Sequence, residues 1–200
     1  MEVEQRNLNT PPFGFAYNLR LTLKAWPVIT AVTIGLCYLT QVVAKVVFGV
    51  DLPEQEQLQV VRQMAGWNWP FVKLVLGVLI VAPVFEETLF RLLLFKLPAK
   101  AFGFVGRRGL CRTFLALVAL LSVVSSAIFS TAHYPNWTAI ASEHRMVWLP
   151  LSNAFLALWF FGLAQCWLYW RTTWLWSPIL NHLLFNLTNL VLLFLVPAQA

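Results

Sequence analysis

Five apolar stretches dominate this sequence, and each is long enough to cross a hydrocarbon core of about 30 Å as a helix. Hydrophobic residues make up 60% of the chain and charged residues only 11%, which is more apolar surface than a water-soluble domain of this length could bury. We therefore expect an all-α, polytopic membrane bundle of about five transmembrane helices. The predicted spans are residues 26–50, 70–95, 113–133, 147–169 and 174–196.

The spans divide the chain into three parts. Residues 1–25 form a polar lead that we expect to lie on the cytoplasmic membrane surface. Residues 26–69 hold the first span and an outer connection, and residues 70–196 form a helical bundle that would carry any active site. Since the N-terminus lacks the layout of a cleavable signal peptide, we expect the first span to be retained as an anchor.

Basic residues predict the orientation, because Lys and Arg concentrate in cytoplasmic loops. They precede the first span, recur through residues 96–112 and reappear at Arg171, which all fall on one side of the predicted bundle. The net charge of +6 is thus a topology signal that also attracts anionic lipid headgroups. We expect a cytoplasmic N-terminus, a lipid bilayer as surroundings and no nucleic-acid partner.

Three charged residues interrupt the second predicted span: Glu86, Glu87 and Arg91. A charge at bilayer depth costs at least about 2.5 kcal/mol on insertion scales, so such residues indicate a functional site. On a helix Glu87 and Arg91 share one face and can pair, whereas Glu86 points elsewhere. An unpaired, desolvated carboxylate is a candidate proton acceptor. We therefore predict that Glu86 is a general base and that Glu87 and Arg91 are supporting structure; a purely structural network of all three is the alternative.

Two further spans carry polar residues at helical spacing. Phe129 and His133 stand four residues apart, so the ring could wall a cavity that the imidazole faces. His182 and Asn186 repeat this spacing in the last span. An interfacial histidine, or hydrogen bonding between helices, would be the structural explanation. Together with Glu86 these groups instead suit hydrolysis of an amide, which needs a base, a group that holds water and donors for the oxyanion.

The three motifs resemble those of the CAAX protease and bacteriocin-processing family of intramembrane endopeptidases. They are Glu86-Glu87-x-x-x-Arg91, Phe129-x-x-x-His133 and His182-x-x-x-Asn186, in this order. The resemblance covers roughly residues 70–190 and leaves the first span outside. It implies that Glu86 and His133 activate a water molecule and that His182 and Asn186 form the oxyanion site.

The resemblance leaves the cofactor open, because the family has been described both as metalloproteases and as glutamate-type enzymes. Glu86, His133 and His182 could supply three zinc ligands with a fourth position for water. We favour the reading without metal, since Asn186 is a poor zinc ligand but a good oxyanion donor and no His-Glu-x-x-His pairing is present. No cofactor is therefore expected, with zinc as the alternative.

The estimated positions of Glu86, His133 and His182 along their helices conflict with a shared site. At 1.5 Å per residue, His133 lies about 30 Å from the basic start of its helix, whereas Glu86 and His182 lie only about 15 to 17 Å from theirs. The three cannot meet if every helix starts in one plane. We expect the third helix to project into the cytoplasm; a strong tilt, or a position of His133 outside the site, are the alternatives.

The predicted function is thus an intramembrane endopeptidase in the inner membrane of a bacterium, cutting a peptide or membrane-protein substrate. CAAX-type prenylated tails, peptides and bacteriocins are all candidate substrates. One alternative is a non-catalytic scaffold or immunity protein that retains the fold. The other is a proton-coupled transporter in which Glu86, His133 and His182 form a relay, against which the sequence shows no inverted repeat.

Overall fold

A computed structural model describes residues 14–49, 61, 63–64, 68–99, 111–133 and 155–195. Within these residues the secondary structure is helical and contains no strand, which confirms the all-α prediction. The helices are α1 (Phe15–Phe48), α2 (residues 69–96), α3 (Cys111–Ala132), α4 (Phe155–Thr172) and α5 (Trp176–Leu195). The predicted outer connection after the first span, most of the basic loop at 96–112 and the start of the fourth span lie largely or wholly outside the described residues.

Within the described ranges, two helices are long and apolar enough to cross a membrane by themselves, Phe15–Val47 and Trp176–Leu195. A shorter apolar helix covers Ala116–Ala132. The number of spans and the orientation of the N-terminus stay predictions. The described helices do coincide with the five apolar stretches, because each stretch can satisfy its backbone groups only by local hydrogen bonds.

The first helix starts earlier than its predicted span. α1 begins at Phe15 and continues unbroken to Phe48, with Pro27 inside it, so part of the predicted polar lead belongs to the same helix. Its buried face includes Asn18, Thr22 and Thr33. The Thr22 hydroxyl donates to the Asn18 carbonyl at 2.8 Å and the Thr33 hydroxyl to the carbonyl one turn earlier at 2.7 Å. The Thr22 and Thr33 hydroxyls can therefore be buried here because their own helix satisfies them.

The second helix contains two π-helical segments. α2 is α-helical over Trp69–Leu76 and Ala82–Glu87, but forms π-helix over Gly77–Val81 and Thr88–Lys96. Asn68 caps its start by accepting a hydrogen bond from the Phe71 amide at 2.9 Å. π-helical turns are rare and occur frequently at functional sites. Glu86 and Glu87 are the last two residues of the short α-helical segment between the two π-helical segments.

A hydrophobic core joins the helices around the second π-helical segment, Thr88–Lys96. It contains Phe90 of α2, Phe129 of α3, Phe161 and Leu168 of α4, and Phe185 of α5. α3 and α4 approach closely at Gly162, where an added Cβ would come within 2.8 Å of the Ser126 Cβ. The absent side chain of Gly162 thus sets the spacing of these two helices, and that spacing positions the C-terminal end of α3.

Candidate active site

Glu87 and Arg91 form a fully buried ion pair. The Arg91 Nε lies 2.9 Å from Glu87 Oε2, and both side chains are 0% exposed. The guanidinium also lies 4.9 Å from the centre of the Phe129 ring, within cation–π distance. The pairing expected from their four-residue spacing is therefore present, and it links α2 to α3.

The second oxygen of Glu87 binds His182, which the family resemblance assigns to the oxyanion site. Glu87 Oε1 lies 2.9 Å from His182 Nδ1, joining α2 to α5. An ionised carboxylate can only accept, so the shared hydrogen belongs to Nδ1 and His182 turns Nε2 the other way. Helical spacing could not reveal this contact because its partners lie on different helices.

Glu86 lies at the junction of three helices. Its Oε2 is 3.6 Å from His133 Nε2 and 3.8 Å from His182 Nε2, and its side chain is 21% exposed. Both distances are too long for hydrogen bonds, and Oε2 has no hydrogen-bond partner among the described residues. One carboxylate oxygen and two imidazole nitrogens therefore border the same small space.

His133 reaches this junction from the end of α3. Its ring lies 4.5 Å from the Phe129 ring, and its Nδ1 lies 2.8 Å from the Phe129 carbonyl oxygen. Because a carbonyl only accepts, the hydrogen sits on Nδ1 and Nε2 faces Glu86. His133 thus lies beside Glu86, so the alternative that it falls outside the site is wrong. The projection of the third helix into the cytoplasm stays a prediction. Phe129 itself is 1% exposed, so its ring packs beneath the histidine and does not line an open cavity.

Asn186 already uses one of its amide hydrogens. Its Nδ2 donates to the carbonyl of Val78 at 2.9 Å. In the π-helical register that carbonyl would accept from the residue five positions later, which is Pro83 and has no N–H group. Asn186 thus satisfies the Val78 carbonyl, which Pro83 leaves without a donor. In an α-helical register the carbonyl left free by Pro83 would instead be that of Leu79. The second hydrogen on Nδ2 is left for another acceptor.

Residues outside the three motifs also support His182. The Phe161 ring lies 5.0 Å from the His182 ring at an interplanar angle of 72°, in an edge-to-face arrangement. Gln165, one turn further along α4, donates from Nε2 to Asn181 Oδ1 at 2.9 Å, and both residues are 0% exposed. Phe161, Gln165 and Asn181 were not among the residues predicted from the sequence. The available signal was two amide side chains inside apolar spans.

The expectation of a site without metal, and the zinc alternative, both stay predictions. Among the described residues, no group of three His, Cys, Asp or Glu side chains is placed to hold a metal ion. Glu86, His133 and His182 come together, but His182 and Glu87 are also bound to each other across the site. In the zinc alternative Glu86, His133 and His182 would be the ligands, and the fourth position would hold water.

Comparison with known proteins identifies the family. The model of the Rce1-like type II CAAX prenyl endopeptidases matches residues 67–188. No curated protein and no solved structure matches the chain. The matched region contains α2 to most of α5 and all three motifs, in agreement with the resemblance over residues 70–190, and leaves α1 outside. The chain therefore belongs to the Rce1-like type II CAAX prenyl endopeptidase family, whose members are membrane proteases that act on peptides or proteins.

Proposed function

We propose that this protein is an intramembrane endopeptidase that hydrolyses a peptide bond with a water molecule activated by Glu86. One observation carries the proposal. Glu86 Oε2 faces the Nε2 atoms of His133 and His182 at 3.6 and 3.8 Å, and none of the described residues offers it a hydrogen bond. A water molecule at this place would contact a base and two imidazoles at once.

In the first step, water lies between Glu86 and His133. The Glu86 carboxylate takes one proton from it, and the remaining hydroxide attacks the carbonyl carbon of the substrate. A carbon–oxygen bond forms, and the carbonyl π electrons move to the oxygen as an oxyanion. The hydrogen on His133 Nδ1 is held by the Phe129 carbonyl, which leaves Nε2 to accept a hydrogen bond from the water.

The oxyanion is stabilised from α5. Glu87 holds the hydrogen on His182 Nδ1, so Nε2 faces the reaction space and stabilises the oxyanion when it carries a proton. Asn186, one turn along the same helix, adds its second amide hydrogen. When the intermediate collapses, the carbon–nitrogen bond breaks and Glu86 gives its proton to the leaving amine. The products are a carboxylic acid and an amine, and Glu86 is a carboxylate again.

The membrane orientation follows from the basic end of the bundle. Phe15 packs against Trp174 with ring centres 5.4 Å apart, so the start of α1 lies beside the turn between α4 and α5. Arg171 belongs to this end, and Lys96 lies 5.0 Å from the Tyr169 ring close by. Since basic ends face the cytoplasm, the N-terminus is cytoplasmic in our proposal. In this proposal the protein lies in a bacterial inner membrane and cleaves prenylated tails, peptides or bacteriocins.

The deciding experiment is cleavage of a panel of fluorogenic membrane peptides by purified protein, comparing wild type with Glu86→Gln, with and without a zinc chelator. We expect wild-type cleavage to survive the chelator and Glu86→Gln to lose about 10²- to 10⁴-fold in kcat, the usual contribution of a general base. Loss with chelator and recovery on adding zinc would replace the glutamate mechanism by a metal-dependent one. Unchanged cleavage by Glu86→Gln would remove Glu86 as the base.

A second arm addresses the scaffold and transporter alternatives. If no peptide of the panel is cut and Glu86→Gln leaves the phenotype of the host unchanged, a non-catalytic scaffold replaces the enzyme. If wild-type protein cleaves no peptide but conducts protons in liposomes, and Glu86→Gln abolishes this flux, a proton-coupled transporter replaces the enzyme.

A further inference from the structure

A second cluster of buried polar side chains lies between α4 and α5, outside the three motifs. Its members are Gln165, Ser177 and Asn181, and each is 0% exposed. Gln165 Nε2 donates to Asn181 Oδ1, but three atoms of the cluster have no hydrogen-bond partner in the part of the chain that the structure describes. These atoms are Gln165 Oε1, Asn181 Nδ2 and Ser177 Oγ.

Reassigning the amides does not remove this imbalance. If both amides are turned over, Asn181 donates to Gln165, and one amide oxygen and one amide nitrogen again lack partners. Every assignment therefore leaves one acceptor, one donor and one hydroxyl. Buried polar groups in folded proteins are almost always paired, either with protein atoms or with ordered water. A buried water molecule typically makes about three such bonds.

The cluster adjoins residues that contact or neighbour His182. Asn181 is its neighbour in sequence, and Gln165 stands one turn after Phe161, whose ring contacts the His182 ring at 5.0 Å. Ser177 lies one turn before Asn181 on the same face of α5, close to the basic end of the bundle. Along α5, Ser177 and Asn181 thus come between the start of the helix and His182.

Hydrolysis consumes one water molecule in each cycle, and aromatic rings pack against part of the His182 ring. Phe129, Phe161 and Phe185 form the buried core next to it. We propose that Gln165, Ser177 and Asn181 form a buried water-binding site that supplies water to Glu86. The supply role rests on the proposed function, whereas the binding of water depends only on the cluster.

A high-resolution experimental structure tests the binding of water without reference to activity. We expect ordered water within hydrogen-bonding distance of Gln165 and Ser177, and we expect it to be lost in Gln165→Leu/Asn181→Leu. Replacing both partners by apolar groups of similar shape leaves no orphaned amide, so this variant should fold. A wild-type structure in which protein atoms alone fill the space would overturn the site.

Kinetics test the supply role. The double leucine variant should lose about tenfold in kcat with KM and thermal midpoint unchanged, a barrier difference of about 1.4 kcal/mol. Its kcat should also fall more steeply than that of wild type when sucrose lowers the water activity. Thr33→Val is the matched control, because this buried hydroxyl is satisfied within its own helix, and it should behave as wild type.

The outcomes separate this proposal from the proposed function. An unchanged kcat in the double variant overturns the supply role, while wild-type cleavage upholds the protease. Absence of wild-type cleavage overturns the protease and the supply role together, and the electron density then decides the water site alone. If the double variant does not fold, Ser177→Ala removes one ligand of the water, and the same sensitivity to sucrose is expected.

Discussion

Glu87 Oε1 lies 2.9 Å from His182 Nδ1 and ties α2 to α5 at the centre of the site. The other nitrogen of the same imidazole faces the preceding glutamate at 3.8 Å. Two consecutive carboxylates therefore lie next to the two nitrogens of one histidine ring. Glu87 can hold the ring because Arg91 neutralises the charge of Glu87. Among the described residues no such cation pairs with Glu86, which is the base in the proposed mechanism.

Glu87→Gln should destabilise the fold by about 3 to 5 kcal/mol, because it leaves the buried Arg91 without its counter-ion. Glu87→Gln/Arg91→Met should regain most of this loss, since no unpaired charge remains. Chemical denaturation of the three proteins in detergent measures the difference. A double variant as unstable as the single one would contradict the ion-pair account.

Asn186→Ala should cost stability of about 1 to 3 kcal/mol, because the Val78 carbonyl loses its donor next to Pro83. It should also lower kcat by about 10² to 10³ if the second amide hydrogen stabilises the oxyanion. The matched control is Asn189→Ala, whose side chain donates at 3.1 Å to a carbonyl of its own helix. Equal effects of the two changes on kcat would argue against an oxyanion role for Asn186.

Phe161→Leu should affect catalysis more than stability. The substitution keeps most of the volume, so the loss should stay below about 1.5 kcal/mol, but it removes the ring edge that packs on His182. We expect kcat to fall severalfold, with a changed nitrogen chemical shift of the His182 ring by NMR. Phe85→Leu, at a position 67% exposed, serves as control. An unaltered imidazole signal would show that Phe161 does not orient the ring.

Gly162→Ala should weaken the contact between α3 and α4, because its Cβ would lie 2.8 Å from the Ser126 Cβ. Overpacking of this kind costs about 1 to 3 kcal/mol. It should also reduce kcat, since α3 carries His133 to Glu86. The control is Gly35→Ala in α1, where an added Cβ would meet no atom within 4 Å. Thermal unfolding and kcat decide the matter, and a neutral Gly162→Ala would show that the helices have room to spare.

Much of the candidate site could be predicted from helical spacing. The pairing of Glu87 with Arg91, and the stacking of Phe129 on His133, each join residues four apart on one helix. The contact of Glu87 with His182, separated by 95 positions along the chain, could not be predicted in this way. The hydrogen bond from Asn186 to the Val78 carbonyl could not be predicted either. It depends on a π-helical register, of which Pro83 is the only sign in the sequence.

The sequence by itself determined that the chain is helical and membrane-bound, because apolar stretches of this length can satisfy their backbone only as helices in lipid. It also determined which residues are expensive to bury and hence which ones a site would use. Only the tertiary structure decided how these residues meet. The helix ends and the hydrogen-bond registers set the depth and the facing of each side chain, as they do for His133, and they depend on packing such as that at Gly162 and Ser126.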